Sequence, residues 1–364
     1  MRKFFQIFIA IFTMSVCHLN GCTGIRMTGK DGSSVNGRTV EFGTNIEMSV
    51  CVIPRHFTFI GKTPAGEGLK YTSKYAAAGI YCFKDQVLMD GVNEEGLACA
   101  AFYFPGFAGY TAVDSGNQSK AISPVEFPNW VLTQFASLEE VKEALKSIVI
   151  APTVLADWGA TPPPFHYIVY DKQGNALVIE PVDGHLVTYD NKIGVFTNSP
   201  TFDWHLENLR NFINLTSFNA KPITLRDVRL APFGQGSGMV GLPGDFTPPS
   251  RFVRAAIFSS TAIAAKDVES VVGQTFHILN QFDIPVGAVR QKASGGFETD
   301  STLLTSVKDP NRLRYYFKSY DDQTIKWIAL KDFNLNAETI KSAPTTGENT
   351  TFNVSESLKP RPLF

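Results

Sequence analysis

The sequence predicts an α+β fold in which two β-sheets pack face to face and helices cover their outer sides. Blocks of strands alternate with pairs of helices, without the strand–helix–strand rhythm of a parallel, doubly wound sheet. Of the 364 residues, 44% are apolar and 18% are charged, an ordinary balance for a globular protein with a sizeable core. The sequence contains no internal repeat and no clear linker, so we expect one large domain over residues 22–341 and a polar tail over residues 342–364.

The first part of the chain is predicted to consist of short strands separated by turns. Residues 23–28 and 38–42 flank the turn at residues 30–33, so we expect them to pair as a hairpin. A second turn is predicted at residues 93–96. The other strands of this part are expected at residues 76–83, 87–90 and 97–104.

Helices and further strands are predicted for the rest of the chain. Ser137 with Glu140 forms a capping box, which predicts the start of a helix over residues 138–147. Apolar residues at helical spacing indicate a second helix over residues 202–213. The remaining helices are expected at residues 251–264 and 268–280, and the remaining strands at residues 165–171, 176–181, 185–189, 301–307, 313–319 and 325–330.

Residues 1–21 have the features of an export leader that is removed on maturation. Arg2 and Lys3 are followed by an apolar segment that is too short to remain as a membrane span. Cleavage between Gly21 and Cys22 exposes a free α-amine next to the Cys22 thiol, which places a base and a nucleophile on one residue. We therefore expect an exported protein, either periplasmic or secreted, with Cys22 as its first residue.

The leader alone leaves two other interpretations open. Cleavage after Cys17, with Ser15 three residues from the cut, fits the small-residue rule better and leaves residues 18–21 as a short propeptide to be trimmed. Residues 19–22 also resemble an imperfect lipobox, and lipidation of Cys22 would block both its thiol and its amine. The second interpretation predicts a lipid-anchored binding protein instead of an enzyme.

Composition and residue spacing exclude several classes of function. A net charge of −1 provides no electrostatic basis for binding nucleic acid or anionic lipid. The histidines and cysteines match no metal-ligand spacing, and no Ser-His-Asp set is recognisable. The glycine-rich stretch 234–238 lacks the preceding strand and the following helix of a nucleotide-binding loop. We expect no cofactor. We interpret Cys51, Cys82 and Cys99 as small, buried apolar residues.

A series of short motifs resembles the choloylglycine hydrolase family, which contains conjugated bile acid hydrolases and penicillin V acylases. The resemblance extends over nearly the whole chain after the leader, and it implies a four-layer αββα sandwich of the N-terminal nucleophile hydrolase type. Cys22 then lies at the start of an inner strand. The motifs occur in family order at residues 22–26, 36–43, 90–97, 104–106, 197–204, 241–245, 250–254 and 282–285.

The resemblance implies a catalytic role for individual residues. Cys22 matches the nucleophile, and Arg38 and Arg251 match family arginines near the sulfur, where cations favour a thiolate. Asn198 matches an oxyanion-hole donor that acts with the backbone N–H of the residue aligned with Tyr103. Taken alone, Asn198 also fits a turn or helix N-cap, and each arginine also fits a surface charge.

Glu41 departs from the family pattern. Better-known members carry aspartate at this position, where it bonds the cysteine amine. The additional methylene moves the carboxylate by about 1.5 Å, which is enough to change the alignment of the base. This departure also leaves open a family member that has lost efficient turnover and serves as a binding module.

These observations predict an exported, cofactor-independent amidase that hydrolyses linear C–N bonds of a small-molecule amide. The aromatic residues Phe102, Tyr103 and Phe104 are candidates for an apolar acyl pocket. The position of Tyr103 tends to be tyrosine in the acylase branch and asparagine in the bile acid branch. We therefore expect a preference for phenoxyacetyl or fatty N-acyl amides, with conjugated bile acid hydrolysis as the alternative. The resemblance also suggests a homotetramer.

Overall fold

A computed structural model of the chain describes residues 21–43, 46–82, 87–156, 158–293, 296–347, 351 and 353–357. Residues 1–20, which include all of the predicted leader and propeptide except Gly21, and also the first two residues of the lipobox, lie outside the described residues, as do residues 348–350, 352 and 358–364 of the polar tail. In the part of the chain that is described, no helix is long and apolar enough to cross a membrane.

The described residues form twenty strands and five α-helices. The strands of the first half are β1 (Gly24–Thr28), β2 (Ser34–Phe42), β3 (Met48–Ile53), β4 (Thr58–Thr63), β5 (Gly66–Thr72), β6 (Ala77–Cys82), β7 (Leu88–Asn93), β8 (Ala98–Tyr103), β9 (Ala121–Ile122) and β10 (Val149–Ile150). Those of the second half are β11 (Phe165–Tyr170), β12 (Ala176–Val182), β13 (His185–Asp190), β14 (Ile223–Leu225), β15 (Val228–Leu230), β16 (Val289–Ala293), β17 (Gly296–Asp309), β18 (Arg314–Ser319), β19 (Lys326–Ala329) and β20 (Lys341–Pro344). The helices are α1 (Phe127–Gln134), α2 (Leu138–Ala144), α3 (Phe202–Leu209), α4 (Pro248–Thr261) and α5 (Val268–Leu279).

Two large antiparallel sheets form the centre of the molecule. The first has the order β1-β2-β17-β18-β19, with β16 paired to the start of β17, and the second has the order β13-β12-β11-β8-β7-β6-β3-β20. Strand β7 contacts β17 and β18, so the two sheets face each other. Helices α4 and α5 pack on the first sheet, and α1 packs on β7 and β8 of the second. The four-layer αββα sandwich predicted from the sequence is therefore confirmed.

The interface between the sheets contains a buried polar cluster among its apolar side chains. Asp90 on β7 accepts hydrogen bonds from Lys308 Nζ at 2.7 Å, Ser306 Oγ at 2.6 Å and Tyr315 OH at 2.7 Å. Asp90 and Lys308 are buried, and the nearby cations lower the pKa of Asp90 despite its burial. One carboxylate thus joins β7 of the second sheet to β17 and β18 of the first.

Most predicted elements are present, with small shifts at their ends. The first hairpin forms as β1 and β2, and α4 begins three residues earlier than predicted, because Pro248 and Pro249 suit the first turn of a helix. The capping box of α2 forms only in part. The Ser137 side chain accepts the Glu140 N–H, but the Glu140 carboxylate accepts the N–H of Ala136.

Several elements carry no clear signal in the sequence. All eight residues of α1 are buried, so this helix lacks the polar face that an amphipathic pattern requires. Strands β3, β4 and β5 occupy residues 48–72, for which no element was predicted. Strand β20 includes the first residues assigned to the polar tail and pairs with β3 at the edge of the second sheet.

Candidate active site

Cys22 lies two residues before the start of β1 and is buried, with polar contacts from three residues. Its Sγ accepts a hydrogen bond from Arg38 Nη2 at 2.7 Å, and its carbonyl oxygen accepts one from Arg251 Nη1 at 2.5 Å. Its backbone N–H donates to Asn198 Oδ1 at 2.8 Å. Four residues predicted from separate motifs therefore meet at one point between the sheets.

Arg38 is held in place by its position in the middle of β2. Its Nη1 donates to the carbonyl of Ala101 at 2.5 Å, its Nε donates to the carbonyl of Thr39 at 3.2 Å, and its guanidinium lies 4.2 Å above the ring of Phe102. Since two of its three nitrogens bind backbone carbonyls, Nη2 is left facing the Cys22 sulfur.

Arg251 comes from the first turn of α4 and is buried as deeply as the core. Its Nε donates to the Phe246 carbonyl at 2.9 Å, and its Nη1 also donates to Thr23 Oγ1 at 3.0 Å. Its Nη2 donates to Asn198 Oδ1 at 2.7 Å. Arg251 therefore ties α4 to the Cys22 carbonyl, to the Thr23 hydroxyl and to the Asn198 amide.

Asn198 lies in the segment between β13 and α3, and its contacts fix which way the amide faces. Oδ1 accepts two hydrogen bonds, from Cys22 and Arg251, while Nδ2 donates to the Tyr103 carbonyl at 2.8 Å. An amide nitrogen carries two hydrogens, so one N–H remains for another acceptor. The N-cap of α3 is Thr201, which argues against the capping interpretation of Asn198.

Glu41, near the end of β2, is a buried carboxyl with one free oxygen. Oε1 accepts the Thr302 hydroxyl at 3.2 Å, and Oε2 has no hydrogen-bond partner among the described residues. Burial raises the pKa of Glu41 to about 8, although the charge of Arg251 lowers it in part. In this state the carboxyl is largely protonated at neutral pH.

The pKa of the Cys22 thiol is raised by burial, and the positive charges of Arg38 and Arg251 oppose that rise without reversing it. The prediction that two cations favour the thiolate therefore describes only one of two opposing effects. Glu41 adds to the rise.

The Gly21–Cys22 bond is intact in this structure, so the Cys22 nitrogen is a peptide N–H. The Gly21 carbonyl accepts the Glu41 backbone N–H at 2.9 Å. A Cβ at Gly21 would lie 3.2 Å from Arg251 Nη2 and 3.6 Å from Glu41 Cβ. Gly21 thus lies between the Arg251 guanidinium and the Glu41 side chain, the two groups that would face a free amine on Cys22.

A small, mainly apolar cavity of about 40 Å³ opens beside Cys22. Of the predicted acyl-pocket residues, Tyr103 lines this cavity, whereas Phe102 lies beneath Arg38 and the ring of Phe104 stacks on His166 at 4.1 Å. The other residues that line the cavity are Cys22, Arg38, Val40, Glu41, Phe42, Ile46, Ile80, Cys82, Met89, Ala101, Trp158 and Phe165.

Trp158 also lines a second, larger cavity of about 610 Å³ between the β4–β5 hairpin and residues 153–156. Its ring lies 6.0 Å from that of Tyr103 and 5.2 Å from that of Phe165. The sequence analysis missed Trp158, because no motif marks it and only the fold brings it next to Cys22. Cys51, Cys82 and Cys99 are buried and free, as predicted.

The fold and this arrangement define a class of protein. A cysteine at the start of a sandwich strand faces an arginine, an amide with a spare N–H, and an apolar cavity. These groups meet the requirements of an amide hydrolase that attacks a carbonyl carbon and stabilises the resulting oxyanion.

Comparison with known proteins identifies the family. Residues 22–343 match the family model for linear amide C–N hydrolases of the choloylglycine hydrolase family, and the chain belongs to this family. The bile salt hydrolase/transferase of Clostridium perfringens is 37% identical over 325 residues, which cover 88% of this chain and 96% of that protein. A solved structure of a variant of the conjugated bile acid hydrolase from the same organism superposes with a TM-score of 0.82 at 34% identity, covering 92% of this chain and 100% of that one.

Penicillin V acylases are more distant relatives. The penicillin V acylase of Pectobacterium atrosepticum is 26% identical over 321 residues, which cover 82% of this chain and 78% of that protein. The structure of penicillin V acylase from Agrobacterium tumefaciens shares the fold, with a TM-score of 0.72 at 24% identity over 94% of this chain and 98% of that one. The relatives therefore support the bile acid alternative better than the acylase preference expected from Tyr103.

Proposed function

We propose that the protein hydrolyses the amide bond of conjugated bile acids, with Cys22 as the nucleophile. The observation that carries this proposal is the contact of Cys22 with Arg38, Asn198 and Arg251 in a chain whose described residues share the fold of a conjugated bile acid hydrolase. The 37% identity to a bile salt hydrolase/transferase supports this substrate class.

The proposed reaction begins once the residues before Cys22 have been removed. The free α-amine takes the thiol proton, and Sγ attacks the amide carbonyl to form a tetrahedral intermediate. The amine then returns the proton to the leaving nitrogen, the C–N bond breaks, and an acyl thioester remains on Cys22. Water hydrolyses the thioester, releases the acid and restores the thiol.

The neighbouring residues support this reaction in distinct ways. We assign the binding of the oxyanion to the spare N–H of Asn198, together with the backbone N–H of Tyr103 as the family resemblance implies. Arg38 faces the sulfur and stabilises its negative charge. The free oxygen of Glu41 is available to hold the new ammonium group, which would in turn lower the pKa of that carboxyl.

A second candidate substrate class is favoured by the small size of the cavity at Cys22. Tyr103 and Trp158 line this cavity of about 40 Å³, and a flat phenoxyacetyl group or a flexible acyl chain demands less room there than a steroid does. A steroid is larger than this cavity, whereas the 610 Å³ cavity that Trp158 also lines is of the size of a small-molecule site. Penicillin V and N-acyl homoserine lactones are therefore the competing substrates.

Side-by-side measurement of kcat/KM for glycocholate, taurocholate, penicillin V and an N-acyl homoserine lactone tests this choice. We expect the bile acid conjugates to react fastest. Faster turnover of penicillin V would favour the second class, and hydrolysis of none of the four by the mature protein would contradict the proposed function.

Variants at Cys22 test the mechanism itself. We expect Cys22→Ala to abolish hydrolysis and Cys22→Ser to leave little, because a hydroxyl is a much weaker nucleophile beside the same base. One additional residue before Cys22 should be as damaging, since it converts the amine into an amide. The buried Cys51→Ala is the matched control, and full activity with a blocked N-terminus would overturn the mechanism.

We also propose that the protein is exported and that Cys22 becomes its first residue. The support is residues 1–21 of the sequence, together with the small space around Gly21. The intact mass of the protein recovered from outside the cytoplasm tests both points. A mass that begins at an unmodified Cys22 is expected, and a lipid-modified mass would instead support the binding-protein alternative.

Finally, we propose a homo-oligomer, as the family resemblance implies. The hairpin of β14 and β15 supports this, because its register places Ile223, Leu225, Val228 and Leu230 on one face. These aliphatic side chains are 45–59% exposed, which is unusual for a hairpin of a soluble monomer. A second copy of the chain would cover them.

A further inference from the structure

Two buried histidines bind consecutive backbone carbonyls in the segment that carries Asn198. His166 Nε2 lies 3.0 Å from the Thr197 carbonyl oxygen, and His205 Nε2 lies 2.9 Å from that of Asn198. Both rings are almost completely buried. Because a carbonyl oxygen can only accept a hydrogen bond, each Nε2 must carry the proton.

The other ring nitrogen distinguishes the two histidines. His205 Nδ1 has no partner among the described residues, and burial lowers the pKa of His205 to about 4, so this ring is neutral. His166 Nδ1 lies 3.1 Å from Glu180 Oε1. Two unprotonated acceptors would repel at this distance, so one proton must lie between Nδ1 and Oε1.

The His166–Glu180 pair is held by aromatic rings and by the first turn of α3, although Glu180 Oε2 has no hydrogen-bond partner among the described residues. The His166 ring is stacked on Phe104 at 4.1 Å and contacts Phe196 at 4.2 Å, and Glu180 Oε1 also accepts the Phe202 N–H at the start of α3. The pair therefore links β11 and β12 to the segment at residues 196–198 and to the first turn of α3. With one shared proton it is neutral overall, which its apolar surroundings require.

We propose that His166 and Glu180 are positioning residues for the reaction, which hold the backbone of Thr197 so that the Asn198 amide faces both Cys22 and the oxyanion. The inference rests on the proposed function. The route is short: Glu180 orients the imidazole, the imidazole binds the Thr197 carbonyl, and the next residue supplies the amide. None of these groups touches the substrate.

His166→Phe is the central test, because it preserves a stacked ring and removes only the two polar contacts. We expect kcat to fall by about 10- to 100-fold with KM nearly unchanged, as for a misplaced transition-state donor. Tyr167→Phe is the matched control. Tyr167 is the next residue of β11 and is equally buried. Its hydroxyl donates a hydrogen bond to the Pro124 carbonyl at 2.8 Å, away from Asn198. The Tyr167→Phe variant should be less stable than the wild-type protein but should have the same kcat.

The variants of Glu180 separate positioning from a general loss of stability. In Glu180→Gln both contacts of Oε1 persist only if the side chain turns so that its amide nitrogen faces a bare Nδ1 while its oxygen keeps the Phe202 N–H, so we expect a smaller loss of kcat than in Glu180→Ala. Glu180→Ala should lower kcat by about as much as His166→Phe does. Equal kcat losses in Glu180→Gln and Glu180→Ala would contradict the proposal, because the conservative variant would then provide no rescue.

A double-mutant cycle decides whether His166 acts through Asn198. In an Asn198→Ala background, His166→Phe should reduce kcat no further, whereas a fully additive loss would overturn the proposal. A measurement without substrate keeps this test separate from the proposed function. In the ¹⁵N spectrum of histidine-labelled protein, we expect His166 Nε2 to be protonated and its Nδ1 signal to shift in Glu180→Ala. An unprotonated Nε2 would rule out the donor role whether or not any amide is hydrolysed.

Discussion

The amide of Asn198 shows how tightly single residues are specified at this site. Its oxygen accepts from two donors and its nitrogen donates to a carbonyl, so rotating the amide by 180° would oppose like groups at three contacts. Only one orientation satisfies Cys22, Arg251 and Tyr103 together. That orientation leaves one N–H available next to the sulfur.

Substitution of Asn198 should therefore act on the transition state. We expect Asn198→Ala to lower kcat by about 10²–10³ with little change in KM, as for other oxyanion donors. Asn211→Ala, at an exposed position beyond the end of α3, is the control. An unchanged kcat in Asn198→Ala would show that the amide has only a structural role.

Glu41 gives the uncleaved chain a specific dependence on pH. Its pKa in the folded chain, about 8, lies above the ordinary value of 4.5, so the folded state binds more protons than the unfolded state between these values. Stability contributed by this group is therefore lost as the pH rises from about 4.5 to 8. We expect the Tm of the unprocessed Cys22→Ala chain to fall less over this range when Glu41→Gln is added.

The exposed Glu47→Gln is the control for this measurement, and it should leave the pH dependence of Tm unchanged. An equal fall of Tm with and without Glu41→Gln would show that Glu41 is ionised in the folded chain over this range. Removal of residues 1–21 should weaken the effect, because a new ammonium group next to the carboxyl favours its charged form.

At the scale of elements, turn and capping motifs in the sequence correctly predicted those elements whose formation depends on neighbouring residues. The hairpin of β1 and β2 and the start of α2 follow from a turn and an N-cap, and both form. Helix α1 was missed because it is buried on all sides and has no amphipathic pattern. Trp158 was missed as a residue of the cavity at Cys22 because only the tertiary fold, and no spacing in the sequence, brings the two residues together. The resemblance supplied Arg38, Asn198 and Arg251, but their mutual contacts could be seen only in the fold.

The hairpin of β14 and β15 leads to a prediction about assembly. We expect Ile223→Lys with Leu225→Lys to lower the oligomeric state measured by light scattering, because two charges would then lie on the face that a second copy covers. Thr224→Lys, on the opposite face of the same strand, is the matched control. An unchanged oligomer in the double variant, or a monomeric wild-type protein, would contradict the proposed role of this face.

At the scale of the whole molecule, the candidate catalytic residues lie where the two sheets meet. Arg38 and Glu41 belong to the first sheet and Cys22 precedes its strand β1, while Ala101 and Tyr103, whose carbonyls bind Arg38 and Asn198, belong to the second. The site therefore exists only when the sheets are docked in register. Asp90 and Lys308, which join the sheets within the same interface, contribute to that register.

The Asp90–Lys308 pair should accordingly make a large contribution to stability. Asp90→Ala leaves the Lys308 ammonium buried without its carboxylate, and we expect the free energy of unfolding to fall by about 3–5 kcal/mol in urea titrations. Replacing both partners, with Asp90→Leu and Lys308→Met, should be less damaging than either single change, because no buried charge is then left unpaired. Asp190→Ala, which breaks the exposed pair with Lys142, is the control and should cost less than about 1 kcal/mol. If Asp90→Ala cost no more than this control, the buried pair would not be what holds the two sheets, and with them the candidate catalytic residues, in register.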